Sequence, residues 1–74
     1  MNAAQCRMAR AALQIGVRDL AEAAHVSPTT VSKMERGEQL QPRTVEAIRT
    51  ALEQAGVVFT NGDEPGVKLR KSEG

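Results

Sequence analysis

Hydroxyl and cationic side chains that can donate hydrogen bonds gather in one short segment near the middle of the chain. Its members are Thr29, Thr30, Ser32, Lys33 and Arg36. The segment holds no acid before Glu35, which points elsewhere on a helix. A helix face that is small, polar and cationic can donate hydrogen bonds to base edges and approach phosphates closely. The pattern therefore predicts a surface that fits the major groove of DNA.

The segment that presents these side chains is predicted to be a short helix with clear ends. Ser27 at the N-cap followed by Pro28 at the first helical position is a strong start signal. Gly37 is a natural residue just past a helix C-terminus, so the helix is predicted to run to about Arg36. Val31 and Met34 lie three residues apart and predict an apolar face that points inward.

A second short helix comes before this one. Leu20, Ala21 and Ala24 share one apolar face and predict a helix over Val17–Ala24. The residues His25-Val26-Ser27 form the turn between the two helices. Two short helices joined by such a turn make one compact unit, which spans residues 17–37.

This unit resembles the helix-turn-helix of the phage repressor and Cro group, also called the XRE family. The matching residues are Leu20, Ala21, Ala24, Val26, Ser27, Val31 and the run Met34-Glu35-Arg36-Gly37. The similarity extends from about Cys6 to Leu52, most of the chain. It implies a compact, mainly α, four-helix domain that binds DNA with its second motif helix, which we call the recognition helix.

The resemblance also implies which side chains meet DNA. Thr29 and Lys33 are expected at base edges, since lysine suits guanine O6 and N7 and a threonine methyl can contact the thymine methyl. Pro28 stands at a base-reading position but offers only apolar contact. The expected phosphate contacts, which set register without reading sequence, are Thr30, Ser32, Arg36, Gln39, Arg43 and Arg18.

Some positions depart from the family pattern. Gly16 replaces the usual Ser, Thr or Asn cap, at small cost. Val17 replaces a glutamine that often contacts a phosphate, and Arg18 either takes over that contact or stays a solvated arginine. His25 occupies a turn position usually given to glycine. We interpret it as a residue held at positive φ, which histidine tolerates better than most, with a ligand or pH-switch role as the alternative.

The first helix is predicted over Asn2–Leu13, which is rich in good helix formers. Cys6 lies on its apolar face and is interpreted as a small core residue, because one cysteine and one histidine do not support a metal or redox site. The resemblance implies that Arg10 pairs with Glu35 and so locks the first helix to the recognition helix. Two separate solvated charges are the alternative.

An amphipathic helix and a β-hairpin follow the motif. Val45, Ile48 and Leu52 predict a core helix over Arg43–Ala55, and Leu40, in the loop before it, is expected to fill the core. Two runs rich in β-branched or alternating apolar residues then predict strands, separated by a turn-rich loop. These strands are Val57–Thr60 and Val67–Lys71.

A lone two-stranded hairpin is marginally stable in water. It therefore either packs on the fourth helix through Phe59 and Leu69, or pairs its open edge with a second copy to form a four-stranded sheet and a two-fold dimer. The residues expected at that dimer interface are Val57, Val58, Phe59, Val67 and Leu69. The cations of the second strand, expected to solvate it rather than touch DNA, are Lys68, Arg70 and Lys71.

The length of 74 residues fits one small domain. We divide it into a DNA-binding part (1–56), a hairpin that serves as dimerisation element (57–71) and a frayed tail (72–74). A chain of this size buries only about 60% of its unfolded surface, so dimerisation would add useful burial. The alanine-rich composition with more arginine than lysine suggests a GC-rich bacterial source or its mobile elements.

Charge and composition exclude several classes of protein. The net charge of +1 argues against a purely electrostatic DNA binder. No apolar run is long enough to span a membrane, and the N-terminus lacks a signal-peptide pattern. A single cysteine fits a reducing cytoplasm. No phosphate-binding loop, metal cluster or cofactor motif is present, so an enzyme is not expected.

The sequence thus predicts a DNA-binding transcriptional regulator, a repressor that binds an inverted-repeat operator as a homodimer. The alternative is a protein-interaction module of the same fold, such as an antitoxin or antiactivator that holds a protein partner. That alternative predicts an exposed apolar patch around Val58 and Val67.

Overall fold

A computed structural model describes residues 1–61 and 63–70 of the chain. Within them the elements are α1 (Ala3–Leu13), α2 (Val17–Ala24), α3 (Pro28–Glu35), α4 (Pro42–Gln54), β1 (Val57–Thr60) and β2 (Gly66–Leu69). The predicted class, a mainly α four-helix domain followed by a two-stranded hairpin, is confirmed. Lys71 and the predicted frayed tail at residues 72–74 lie outside the described residues.

Capping residues explain most of the one-residue differences from the predicted helix ends. Asn2, predicted as the first residue of α1, is its N-cap: the Asn2 side chain accepts a hydrogen bond from the Gln5 N–H at 2.8 Å, and Gln5 Oε1 accepts one from the Asn2 N–H at 2.9 Å. α4 begins at Pro42, one residue before the predicted Arg43, because proline fits the first helical position. α3 and α4 each end one residue early, since the last predicted residue is the C-cap.

The turn between α2 and α3 is tight and left-handed. His25 has a φ of 58°, as predicted for this position. The Val26 N–H donates to the Ala21 carbonyl at 3.0 Å, which closes the end of α2. Gln14, at the end of α1, has the same φ, which the sequence did not indicate.

A single apolar core joins the four helices to the start of the hairpin. Its buried members are Cys6, Ala9, Leu20, Ala21, Ala24, Val31, Met34, Ile48, Ala51, Leu52 and Val57. Cys6 lies within it as predicted, and Leu40 packs against it from the loop before α4. Both motif helices are therefore held by the same set of packed side chains.

The hairpin is antiparallel, with Phe59 opposite Val67 and Val58 opposite Lys68. Phe59 and Val67 pack against the core. The expectation that Leu69 anchors the hairpin is wrong, because this side chain is 46% exposed. The main support is also not α4: α1 packs against β2 more closely than α4 packs against β1.

The strand bounds also differ from the prediction at β2. β2 covers Gly66–Leu69 rather than the predicted Val67–Lys71. Gln5 of α1, which is only 3% exposed, explains the early start. Its Nε2 donates to the carbonyls of Thr60 and Gly66, each at 3.1 Å, and so fixes the end of the hairpin where β1 stops and β2 starts.

Candidate nucleic-acid interface

α3 is a short helix with an inward apolar side and an outward polar side. Val31 and Met34 are buried in the core. Thr29 and Lys33 lie four residues apart on the opposite side and are exposed, as is Pro28 at the first helical position. Side chains four residues apart are neighbours on one helix face. The structure therefore leaves all three residues predicted to meet base edges accessible on α3.

One of the two hydroxyl residues predicted at phosphates, Thr30, already has a hydrogen-bond partner at the start of the helix. Ser27 caps α3 by accepting a hydrogen bond from the Thr30 N–H at 3.1 Å. The Thr30 hydroxyl lies 2.9 Å from the Ser27 hydroxyl and shares a hydrogen bond with it. Thr30 and Ser32 are both half-buried. The hydrogen bond with Ser27 holds the Thr30 hydroxyl in one position beside the N-terminus of α3, where the helix dipole favours an anion.

Arg36 follows Lys33 on the same side of α3 but already has a partner. Its guanidinium lies 2.7 Å from the Glu38 carboxylate, with both side chains largely exposed (59% and 48%). An exposed pair of this kind contributes at most about 1 kcal/mol. A phosphate can therefore replace Glu38 as the partner of Arg36 at little cost.

The remaining predicted phosphate contacts come from three separate elements. Arg18 is the second residue of α2, Gln39 lies in the loop after α3, and Arg43 is the second residue of α4; all three are exposed. Arg43 and His25 line the same surface groove between the end of α2 and α4. The structure thus places Arg43 near the turn that leads into α3, while Arg18 belongs to the opposite end of α2.

The inner side of α3 is held by charges from α1. Arg10 donates to both carboxylate oxygens of Glu35, at 2.8 and 3.0 Å, and also to the Ile15 carbonyl. Arg7 donates to the backbone carbonyl of Glu35. The side chain of Glu35 is only 9% exposed and that of Arg10 is 27% exposed, so water weakens this pair little.

This arrangement also affects the ionisation of its members. The hydrogen bond that Arg10 donates to Glu35 raises the pKa of the Arg10 guanidinium, so its charge is permanent. Burial, together with the nearby Glu35 carboxylate, raises the pKa of the Cys6 thiol to about 12. The Cys6 Sγ lies 3.7 Å from Glu35 Oε2 and donates a hydrogen bond to it. Cys6 is therefore a neutral donor that supports Glu35.

Two of these functional contacts had no clear signal in the sequence. In the sequence, Arg7 is one cation among several and nothing assigns it a contact. In the structure, its guanidinium donates to the Glu35 carbonyl at the C-terminal end of α3. Gln5 reads as an ordinary helix former, yet it links α1 to the hairpin. A Gln three residues after an Asn cap indicates a capping box, but it carries no information on the distant carbonyls that Gln5 also binds.

The predicted dimerisation residues differ in their accessibility. Val57 is only 2% exposed and packs inside its own chain, so its side chain is not available to a second copy. Val58, Phe59 and Val67 are half-buried, and Leu69 is exposed. Among the described residues, no group of His, Cys, Asp and Glu could hold a metal ion, and no helix is long and apolar enough to cross a membrane.

Comparison with known proteins agrees with this geometry. A family model described as a helix-turn-helix domain matches residues 3–58, which include all four helices and the start of β1. A search of curated proteins found no match. The family model suggests a DNA-binding regulator, and domains of this kind are typically not enzymes. Since the model covers most of the chain, the protein belongs to the helix-turn-helix domain family.

Proposed function

We propose that this protein is a transcriptional regulator, a cytoplasmic repressor that binds an inverted-repeat operator as a homodimer. The observation that carries the proposal is the recognition helix α3. Its outer side exposes Thr29 and Lys33, while its inner side is fixed by the Arg10–Glu35 ion pair. A rigid helix with exposed donors can read base edges in the major groove without first becoming ordered.

In this proposal the contacts divide into two classes. Lys33 and Thr29 read base edges, and Pro28 adds apolar contact next to them. The phosphate contacts, which set register on both sides of the groove, are Thr30, Ser32, Arg36, Gln39, Arg43 and Arg18. The phosphate contacts give affinity that falls with salt, whereas the base contacts distinguish one sequence from another.

A homodimer follows from the small size of the reading surface. One recognition helix of this length reads only a few base pairs. Two copies on half-sites about 34 Å apart double that number and impose inverted symmetry on the operator. The hairpin is the element proposed to join the copies.

The decisive experiment is a binding titration with Lys33→Ala. The operator is first selected by the wild-type protein from a random pool of duplexes, and affinity is then measured by fluorescence anisotropy. Loss of a lysine that contacts a guanine should cost about 1–3 kcal/mol on the selected site and relax specificity at one base pair.

The matched control is Lys68→Ala, which removes an exposed lysine from the hairpin instead. It should leave discrimination between the selected and a scrambled duplex unchanged. If Lys33→Ala discriminates as well as the wild type does, the proposed docking of α3 is wrong.

A protein-interaction module remains the second candidate, and one surface feature favours it. The groove between α2 and α4 has a volume of about 510 Å³ and a floor rich in alanine, which suits an apolar segment of a partner. Ala47→Gln would fill this groove without touching the outer side of α3 and without adding a charge beside Arg43. Under the regulator proposal, DNA affinity survives this substitution.

A further inference from the structure

The hairpin has two edges that differ in their protection. β1 and β2 form a two-stranded sheet, so among the described residues each strand has one edge without a neighbouring strand. Such an edge presents unpaired N–H and C=O groups and is a template for pairing with another chain. Natural sheets protect edges with proline, with lysine or by covering them with another element.

The edge of β2 carries all three kinds of protection. Pro65, which has no N–H, comes directly before the strand, and the exposed Lys68 lies within it. α1 packs closely against β2. If two copies met along β2, Lys68 of each would approach the other, and like charges on neighbouring strands repel.

The β1 strand carries neither of the two sequence protections. The strand Val57–Thr60 contains no charged residue and no proline. The Arg70 N–H donates to the Gly56 carbonyl at 2.8 Å, which fixes the alternation of bonded pairs along the hairpin. By this alternation the peptide groups of Phe59 point away from β2. A shallow groove of about 240 Å³ beside the strand is lined by Val57, Val58 and Phe59 and, at one end, by Glu53 and Arg70, whose guanidinium donates to the Glu53 carbonyl.

We propose that the β1 edge pairs antiparallel with β1 of a second copy, about a two-fold axis close to Val58 and Phe59. The product is a four-stranded sheet in the order β2–β1–β1–β2. This inference deepens the proposed function and rests on it for the use of the dimer on DNA. We choose a second copy of this chain as the partner for one reason. Across such an axis β1 would meet only the uncharged, β-branched or aromatic residues of its own sequence, and cross-strand pairs of these residues stabilise a sheet.

The size of this interface predicts a weak dimer. Stable protein interfaces bury more than about 1,000 Å² in total, and two strands of four residues offer only part of that. Two half-sites on one DNA raise the effective concentration of one copy beside the other. The pairing therefore becomes complete on DNA and makes binding to the inverted repeat cooperative.

The test uses opposite charges at Val58, whose side chain is opposite Lys68 on the outer face of the hairpin. Val58→Glu gains a partner in Lys68 of its own hairpin, and Val58→Lys is combined with Lys68→Glu so that it also has an opposite charge across its own hairpin. Each substitution brings like charges together at the axis. In sedimentation equilibrium we expect at least tenfold weaker self-association for each variant alone, and recovery in a 1:1 mixture of the two.

Lys68→Thr is the matched control at the other edge. It should leave self-association unchanged, and stronger association of this variant would identify β2 as the interface and overturn the proposal. The proposal is also overturned if Val58→Glu associates as the wild type does, or if the wild type stays monomeric at about 1 mM, a concentration that detects interactions as weak as about 4 kcal/mol.

Amide NMR of the wild type gives a readout that does not depend on any variant folding. On raising the protein concentration, the amide signals of β1 should shift, and the amide of Phe59, which points away from β2, should become protected from exchange. Shifts confined to β2 or to α3 would contradict pairing at β1.

DNA titrations separate this inference from the proposed function. Val58→Glu should bind a duplex with one half-site as the wild type does, and lose cooperativity on a duplex with two. Unchanged cooperativity overturns the β1 interface while the regulator stands. If the wild type selects no duplex from the random pool but the Val58 mixture still recovers the dimer, the regulator fails and the interface stands.

Discussion

The recognition helix and the hairpin are both held by α1, but by different means. α3 is fixed by two arginines, of which Arg10 forms a bidentate ion pair with Glu35 and Arg7 binds the Glu35 carbonyl. The hairpin is fixed by the neutral amide of Gln5 and by apolar packing. The two attachments use different side chains of the same helix.

This difference matches what each element is proposed to do. A helix that reads base edges needs one fixed orientation, and a charged pair with defined geometry imposes one. A hairpin edge that pairs with a second copy needs only to keep its peptide groups accessible. The first helix, α1, touches no DNA in the proposal but sets the position of both working surfaces.

The largest effect is expected from breaking the charged attachment with Glu35→Ala. Removing one partner of a mostly buried ion pair leaves the other without compensation and costs about 3–5 kcal/mol. Because the Arg10 side chain is 27% exposed, we expect a loss at the lower end of this range. Urea unfolding should show a free energy of unfolding lower by about 3 kcal/mol. Amide exchange should rise most in α3.

The exposed pair of Arg36 and Glu38 provides the matched control. Glu38→Ala should change the free energy of unfolding by less than about 1 kcal/mol, since both side chains are solvated. Equal losses for the two substitutions would show that the Glu35 pair does not hold α3 more firmly than a surface pair does.

Breaking the neutral attachment with Gln5→Ala is expected to cost less. The carbonyls of Thr60 and Gly66 lose their side-chain donor, and each hydrogen bond lost costs about 0.5–1.5 kcal/mol. We expect about 2 kcal/mol in urea unfolding, with faster amide exchange in the hairpin rather than in α3. Gln54→Ala, at an exposed position of α4, is the control and should fall within about 0.5 kcal/mol of wild type.

The fold was accessible from the sequence because its signals are local. Ser27-Pro28, Gly37 and the apolar spacing around Ile48 define helix ends and inward faces with no knowledge of the rest of the chain. The hairpin was recognisable for the same reason. The helix that supports the hairpin was not recognisable. The choice between α1 and α4 depends on the hydrogen bonds of Gln5, whose partners lie 55 and 61 positions further along the chain.

In the candidate site, too, positions set by local periodicity were predictable and contacts that depend on the fold were not. The outward positions of α3 follow from helical periodicity, so Thr29 and Lys33 could be placed on one face in advance. The pairing of Arg36 with Glu38 was missed, although the two residues are neighbours, because the backbone after Gly37 decides whether they meet. The burial of Val57 was also missed, since alternation along a strand does not say which face the core covers.

The pH dependence of the free energy of unfolding tests whether water reaches the contact between α1 and α3. The pKa of Cys6 is about 12 in the folded protein and 9.0 without the fold. The folded state therefore holds this proton more tightly, and the stability it provides is complete below pH 9 and lost as the pH rises toward 12. One such group gives a slope of up to about 1.4 kcal/mol per pH unit.

Cys6→Ala should remove the contribution of the thiol to the fall of the free energy of unfolding with pH. It should also lower stability at every pH, because packing is lost. The comparison is made by urea unfolding at several pH values on either side of pH 9. Parallel curves for the variant and the wild type would mean that water reaches the thiol, and that the contact is less dry than its burial indicates.

The smallest effect is expected at the turn between α2 and α3, with His25→Gly. The backbone there is left-handed, with a φ of 58°, which glycine adopts without strain. Relief of that strain outweighs the greater freedom of glycine in the unfolded chain, so we expect a gain of about 0.5–1 kcal/mol in thermal unfolding. His25→Val, which is β-branched, should instead lose stability. If histidine serves the turn through its backbone alone, the pH profile of DNA binding is the same with glycine; a changed profile would assign the imidazole a role of its own.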